Sequence, residues 1–252
     1  MIDGGRVLVS NAPADKAGRL VAPGEPIRVL GPPARYVGRG GEKLAGALER
    51  FALDPSGVRA LDAGASTGGF TDALLQAGAA SVVAVDVGRA QLHERLRADP
   101  RVDAREQTDI RTVSPDDVGG PVDLVVADLS FISLHGVIGA LLALVAPGGD
   151  LVVLVKPQFE AGRAEVSKGR GVIRDPEVWR RVLGEVMVAI GDAGGAIMDA
   201  MVSPLRGADG NAEFLVHVRR PELGRDPQDA SVDGRVPDVA TLVAEAAGEV
   251  GS

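Results

Sequence analysis

Lysine is scarce in this chain: of 27 basic residues only Lys16, Lys43, Lys156 and Lys168 are lysine, and the rest are arginine. Where a plain positive charge suffices, the sequence uses arginine, so each lysine invites a chemical question. Lysine, unlike arginine, can lose its proton at accessible pH and act as a base. Lys156 ends the apolar run 151–155 and is followed by Pro157, which cannot continue a strand ladder. Asp128 likewise follows the apolar run 122–127. In an open α/β sheet, the C-terminal ends of strands line the ligand crevice. Glu213 flanks the last apolar run, and Lys43 lies in the glycine-rich basic stretch Gly38-Arg39-Gly40-Gly41-Glu42-Lys43-Leu44. Two amines and two carboxylates at element ends suit positioning and proton transfer. Each alone would also serve as a solvated charge. The apolar runs before Asp128 and Lys156 weigh against that for these two.

A second constellation is Asp62-Ala63-Gly64-Ala65-Ser66-Thr67-Gly68-Gly69-Phe70, set between the apolar run 58–61 and a helix-like run at 71–76. Strand, glycine-rich turn and helix form the geometry of a nucleotide-type site. The spacing is not the G-x-G-x-x-G of a dinucleotide fold. An acid at the strand end repels a pyrophosphate but suits a cationic ligand such as S-adenosylmethionine. Gly64 and Gly68 are expected to lie close to that ligand, since the turn there is poor in side-chain bulk.

The elements that position these residues alternate. Strands are expected at 58–62, 81–86, 102–106, 122–127, 151–156, 196–202 and 214–218, with helices at 71–77, 89–98, 134–145 and 176–192. Alternation of this kind implies a mostly parallel sheet covered on both faces. Only residues 203–213 separate the last two strands, so the final strand is expected to run antiparallel. The fold class is α/β, with the outline of the Rossmann-like class I methyltransferases. Two short strands at 6–9 and 27–30 form a separate unit, closed by the linker Gly31-Pro32-Pro33.

The net charge of −8 misleads about partners. Residues 222–252 hold seven acids against Arg225 and Arg235, and are expected to form a disordered acidic tail with helical character only around 239–247. Residues 1–60 and 156–181 each carry an excess of three bases. Such segments suit nucleic acid, with Arg6, Lys16, Arg19, Arg39, Lys168 and Arg170 as candidate RNA contacts. With 3% aromatic residues, base stacking must rest on few side chains. No cysteine is present, which excludes disulfides and thiolate metal sites, and His93, His135 and His217 form no cluster, so no metal is expected. The uncharged stretch 129–149 passes the crude length test for a membrane span, but it contains Ser130, Ser133, His135, Gly136 and Pro147 and reads better as a crossover segment. No signal peptide is visible at the start, and the expected location is the cytoplasm.

From Arg35 to Pro221 the chain resembles the TlyA (hemolysin A) family of FtsJ-like ribosomal RNA 2′-O-methyltransferases. The resemblance rests on GRGGEKL, LDAGASTGGFTD, VVADLSFISL, LVKPQFE, KGRGVIRDP and SPLRGADGNAEFL, six segments in order. It implies a catalytic set at Lys43, Asp128, Lys156 and Glu213. It implies S-adenosylmethionine held by Asp62, Gly64, Ser66, Thr67, Gly68, Gly69 and Phe70, with Asp86 near the ribose hydroxyls, Asp109 near the adenine and Asp128 at the reacting end. Asp109 stands where the family usually has Asn. Family members begin with an S4-type RNA-binding domain of two helices and small strands. Residues 1–33 resemble only the strand half, ahead of a methyltransferase domain at 34–221; either the start of the gene was set too late or this variant binds RNA with a reduced module. The implied substrate is ribosomal RNA in either subunit, with cytidine riboses as targets. Two rivals are a binding protein of this fold with weak or lost activity, and a membrane-active protein in keeping with the name hemolysin.

Overall fold

The computed structural model describes residues 2, 5–16, 18–31, 34–222 and 238–248, without the side chains of 163 and 164. Its contacts divide into two units, Met1–Arg35 and Tyr36–Ser252. The first is a small antiparallel sheet of β1 (Val7–Val9), β2 (Ala12–Pro13) and β3 (Ile27–Val29), with β1 in the middle. The two expected strands are present, and β2 is an addition. Ile27 and Val29 stay more than half exposed, so this sheet buries little of its own.

The second unit is a seven-stranded sheet. Its strands are β4 (Arg59–Ala63), β5 (Ser81–Val85), β6 (Val102–Arg105), β7 (Val122–Ala127), β8 (Val145–Val155), β9 (Ala196–Val202) and β10 (Phe214–Arg219). The order is β6-β5-β4-β7-β8-β10-β9. The pairs from β6 to β8 are parallel, and β10 runs antiparallel to both β8 and β9, as expected from the short 203–213 connection. β8 starts earlier than expected. Pro147-Gly148-Gly149 is absorbed as an irregularity where the partner of Val122 is Val145 and that of Leu124 is Asp150.

The central strands are buried on both faces, and their side chains divide by period two. Val125, Ala127, Leu151 and Val153 face one apolar cluster, while Leu124, Val126, Val152 and Leu154 face the other. The first cluster is completed by α4 (Ile138–Leu144) and α7 (Pro176–Asp192). The second is completed by α1 (Gly40–Arg50), α2 (Gly69–Gln76) and α3 (Glu94–Arg97). Asp175 caps α7 by accepting the Glu177 N–H at 3.0 Å, with Pro176 as first helical residue.

One difference from the sequence reading has a clear physical cause. The helix expected at 89–98 shrinks to α3, because the Glu106 carboxylate accepts the N–H groups of Ala90, Gln91 and Leu92 at 2.8, 2.7 and 3.1 Å. Those donors are thereby satisfied without a helix. The helical character expected at 239–247 of the tail is present as α8 (Val239–Ala247), which buries Leu242, Val243 and Ala246 in the first apolar cluster. Residues 223–237 and 249–252 of the tail, expected to be disordered, lie outside the described residues. Between β8 and α7 the chain adds two short helices, α5 (Pro157–Glu160) and α6 (Arg163–Lys168). The uncharged stretch 129–149 is a 3-10 turn at Leu134–Gly136, then α4, then the start of β8. No helix among the described residues is long and apolar enough to cross a membrane.

Candidate functional site

Strand order reverses at β4, which has β5 on one side and β7 on the other, and this is where an open α/β sheet binds ligands. Gly64, Asp86 and Asp128 each sit just past the C-terminal end of β4, β5 and β7. They line a crevice of about 450 Å³ together with Ser66, Gln91, Thr108, Asp109, Arg111, Ser130 and Phe131. A smaller adjoining cavity of about 210 Å³ is lined by Gly40, Gly64, Ser66, Thr67, Gly69, Phe70, Asp128, Ser130 and Lys156. Gly64, Ser66, Asp128 and Ser130 belong to both walls.

Backbone geometry makes the glycine turn a close-fitting floor. Gly64 has φ +83°, and a Cβ there would come within 2.7 Å of the Asp128 carbonyl oxygen. The N-termini of α1 and α2 also approach closely: a Cβ on Gly69 would meet the Gly41 nitrogen at 3.0 Å, and one on Gly41 would strike the Tyr36 ring. Gly68 behaves differently from expectation. Its φ is +97°, but a Cβ there would hit Leu96 and Leu92, and it lines neither cavity. Its role is to seat α3 against the start of α2.

Asp62 is also corrected. It is fully buried and lines neither cavity. Its Oδ2 accepts the backbone N–H and the hydroxyl of Thr71 at 2.8 and 2.6 Å, while Oδ1 finds no hydrogen-bond partner among the described residues. Burial pushes its carboxyl up to about 7, with the neighbouring charges of Asp128 and Asp86 adding to the effect against the Thr71 bonds. The acid that sequence reading placed against the ligand holds the first turn of α2 instead. The folded state thus binds this proton more tightly than the unfolded chain, whose carboxyl ionises near 3.8. That stabilising contribution is complete below about pH 4 and is lost as pH rises through about 7. The variant Asp62→Asn should therefore gain thermal stability relative to the parent between pH 5 and pH 8. Parallel melting curves across that range would contradict the assignment.

The remaining crevice acids are oriented by backbone donors. Asp86 accepts the N–H of Ser66 at 2.8 Å and of Gly88 at 2.6 Å. Asp109 accepts the Arg111 N–H and is gripped by its guanidinium at 2.5–3.1 Å, which holds its carboxyl below the usual range. A carboxylate held in this form accepts hydrogen bonds and does not donate them.

The four residues of the expected catalytic set form two ion pairs. Lys156 Nζ lies 2.6 Å from Asp128 Oδ1 and donates to Ser130 Oγ at 2.9 Å. Lys43, on the buried face of α1, bonds Glu213 at the start of β10, and both are buried. Gly40, one turn before Lys43, lines the cavity that holds Lys156, and a Cβ on it would lie 3.7 Å from Asp128 Oδ2. The 203–213 loop that delivers Glu213 is held by Asn211, whose side chain accepts from Ile173 N at 2.9 Å and donates to Gly171 O at 3.0 Å.

Sequence reasoning passed over Ser130 and Phe131, though both stand in the quoted segment with Asp128. Phe131 has φ +64° and is 90% exposed at the crevice mouth, its ring 5.0 Å from that of Phe159. An exposed, left-handed phenylalanine beside a polar cavity is a strained arrangement that a packed core does not require. The candidate RNA contacts fall on both units. Arg6, Lys16 and Arg19 belong to the first. Arg39, Lys168 and Arg170 belong to the second and are exposed there, Arg39 donating to the Arg206 carbonyl at 2.7 Å. Among the described residues no group of three His, Asp or Glu is arranged to hold a metal ion.

This sheet, with its acceptor-rich crevice at the reversal point, defines a class I methyltransferase, whose methyl donor is S-adenosylmethionine. An S-adenosylmethionine-dependent methyltransferase from Mesorhizobium loti shares the fold, with a TM-score of 0.51 at 18% identity over 69% of this chain and 96% of that one. The FtsJ-like methyltransferase family matches residues 36–220, and the chain belongs to that family. It is 46% identical to the 16S/23S rRNA (cytidine-2′-O)-methyltransferase TlyA of Mycobacterium tuberculosis, over 87% of this chain and 82% of that one. It is 40% identical to hemolysin A of Brachyspira hyodysenteriae, over 73% and 76%. A solved structure from Streptococcus thermophilus that goes by the name of hemolysin superposes with a TM-score of 0.82 at 38% identity, covering 98% of this chain and 88% of that one.

Proposed function

We propose that this chain transfers the methyl group of S-adenosylmethionine to a ribose 2′-hydroxyl of ribosomal RNA, with cytidines of either subunit as the targets. The observation that carries the reading is the wall shared by the two cavities. Asp128 and Ser130 face both the crevice and the smaller cavity that holds Lys156. A donor in the crevice and a hydroxyl in the small cavity would meet across that wall.

The crevice residues fit the donor. Asp86 and Asp109 offer acceptors for ribose hydroxyls and an adenine amino group, and the carboxylates suit a cation. The volume is in the range of small-molecule sites. The bound donor supplies a methyl already activated by its sulfonium, so the chain's task is to place and deprotonate a weak nucleophile. Asp128 and Ser130 hold the Lys156 amine by two contacts: charged, it orients the hydroxyl oxygen; neutral, it receives the hydroxyl proton. Buried Lys43 and Glu213 fix α1 and the start of β10 around the cavity. Phe131 offers a face on which the target base can stack once it leaves its helix. Basic residues of both units contact phosphates.

Gly64 and Gly68 separate binding from folding. Gly64→Ala should weaken donor binding by at least about tenfold, since its Cβ collides with the Asp128 carbonyl that both cavities share. Gly68→Ala should mainly lower stability, by about 1–3 kcal/mol, through collision with Leu92 and Leu96. Calorimetry of donor binding beside thermal melts tests the contrast, and equal affinity loss in both variants would refute it. The direct test of function incubates the protein with labelled donor and purified 30S and 50S subunits and maps methylated riboses. Donor binding without transfer to either subunit would favour a binding protein. Release of contents from liposomes would favour a membrane-active one.

A further inference from the structure

The family match ends at residue 220, yet α8 continues the same fold beyond it. Leu242, Val243 and Ala246, spaced for one helix face, are buried against the cluster that includes α7. From the loop between β9 and β10, Arg206 Nη2 reaches the last turn of α8 and donates to the Ala246 carbonyl at 2.8 Å. That carbonyl is one of those a helix leaves unpaired at its negative end, where a guanidinium binds well. The main chain of the same residue faces the other way. The Arg206 carbonyl accepts Nη2 of Arg39 at 2.7 Å, and Arg39 directly precedes Gly40 in the wall of the small cavity. Residues 208–210 beside it are exposed, and Gly210 has φ +89°, so this part of the loop has little packing of its own. Asn211 anchors one side of it and α8 the other.

We propose that α8 is a strap that sets the RNA-docking edge of the active site, with Arg206 as the positioning residue that transmits its hold to Arg39. The inference rests on the reading of Arg39 as a phosphate contact. The side chain of Arg206 is spent on the helix end and its carbonyl on Arg39. It therefore acts on RNA through Arg39. Elements added beyond the catalytic domain thus tune substrate docking without touching donor or hydroxyl.

The test compares the full chain with Arg206→Ala, Arg206→Lys, Arg39→Ala and the Arg39→Ala/Arg206→Ala pair. Steady-state methylation of ribosomal subunits, donor calorimetry, thermal melts and hydrogen exchange are the readouts. Arg206→Ala should raise KM for the subunit by about three- to tenfold, the scale of one loosened charge-assisted contact, with kcat and donor affinity held. Exchange should quicken at 38–42 and 204–210 while the melting temperature stays near the parent's, and Arg206→Lys should restore part of the KM. In the Arg39→Ala background the second substitution should add nothing. Multiplying losses in the pair would mean that Arg206 meets RNA itself, which overturns the proposal. A fall in kcat would route the effect through Glu213 and overturn it as well. Should the parent protein transfer no methyl group, the functional reading fails, and the exchange data alone then confirm or overturn the strap.

Discussion

Replacing Lys156 by arginine should leave donor affinity within about twofold of the parent and slow methyl transfer by at least about two orders of magnitude, the scale of a lost acid–base group. The substitution keeps the charge beside Asp128 and Ser130, so the ion pair survives. Arginine cannot give up its proton as lysine can, and a compact amine is exchanged for a planar fork that must fit a cavity of about 210 Å³. Calorimetry fixes the binding half of the result, and single-turnover transfer to ribosomal subunits fixes the other. Near-parental transfer would reduce Lys156 to a charge that holds Asp128.

Glu213→Ala should cost about 3–5 kcal/mol of stability, because it strands the buried Lys43 ammonium without its partner. The paired change Lys43→Met with Glu213→Leu should recover most of that loss, since apolar side chains of similar volume replace a desolvated ion pair at little net cost. Recovery of stability without recovery of methyl transfer would assign the pair a part in the reaction. Recovery of both would make it scaffolding alone. Denaturant melts and transfer assays on the same three proteins decide between the two, and an unchanged melt for Glu213→Ala would refute the stability argument itself.

Where local chemistry dictates local structure, the elements were legible. α7 announces itself through Asp175, Pro176 and an apolar face that includes Trp179, Val182, Leu183, Val186 and Ile190, and its expected bounds agree with the structure. The short link before β10 gave away the antiparallel strand. What stayed hidden depends on contacts made across the chain. α1 opens with Gly40 and Gly41, poor helix formers: a Cβ on Gly41 would strike the Tyr36 ring, and one on Gly40 would press the Phe70 ring at 3.2 Å. Its helix reads in the sequence as a basic glycine-rich stretch. α3 is short because Glu106, beyond its other end, captures the N–H groups of Ala90, Gln91 and Leu92 that would have opened a longer helix. In the tail only the burial was hidden: helical character was expected at 239–247, but nothing in the sequence told that Leu242, Val243 and Ala246 pack into the first apolar cluster. At the site, the Asp128 and Lys156 positions follow from strand ends, but no sequence signal tells that Asp62 faces the core and Phe131 faces solvent.

The Lys43–Glu213 pair joins residues 170 positions apart. Its second member enters with β10, which slots between two strands already made, so the sheet cannot close from the N-terminus onward. A chain emerging from synthesis at about 5–20 residues per second holds the whole glycine turn, Asp128 and Lys156 well before it holds Glu213. Closing so long a loop also falls late in folding, because its entropy must be met before the contact rewards it. A nascent chain therefore holds Lys43 without its partner until Glu213 and β10 are made, and the Lys43–Glu213 pair is among the last contacts of the fold to form.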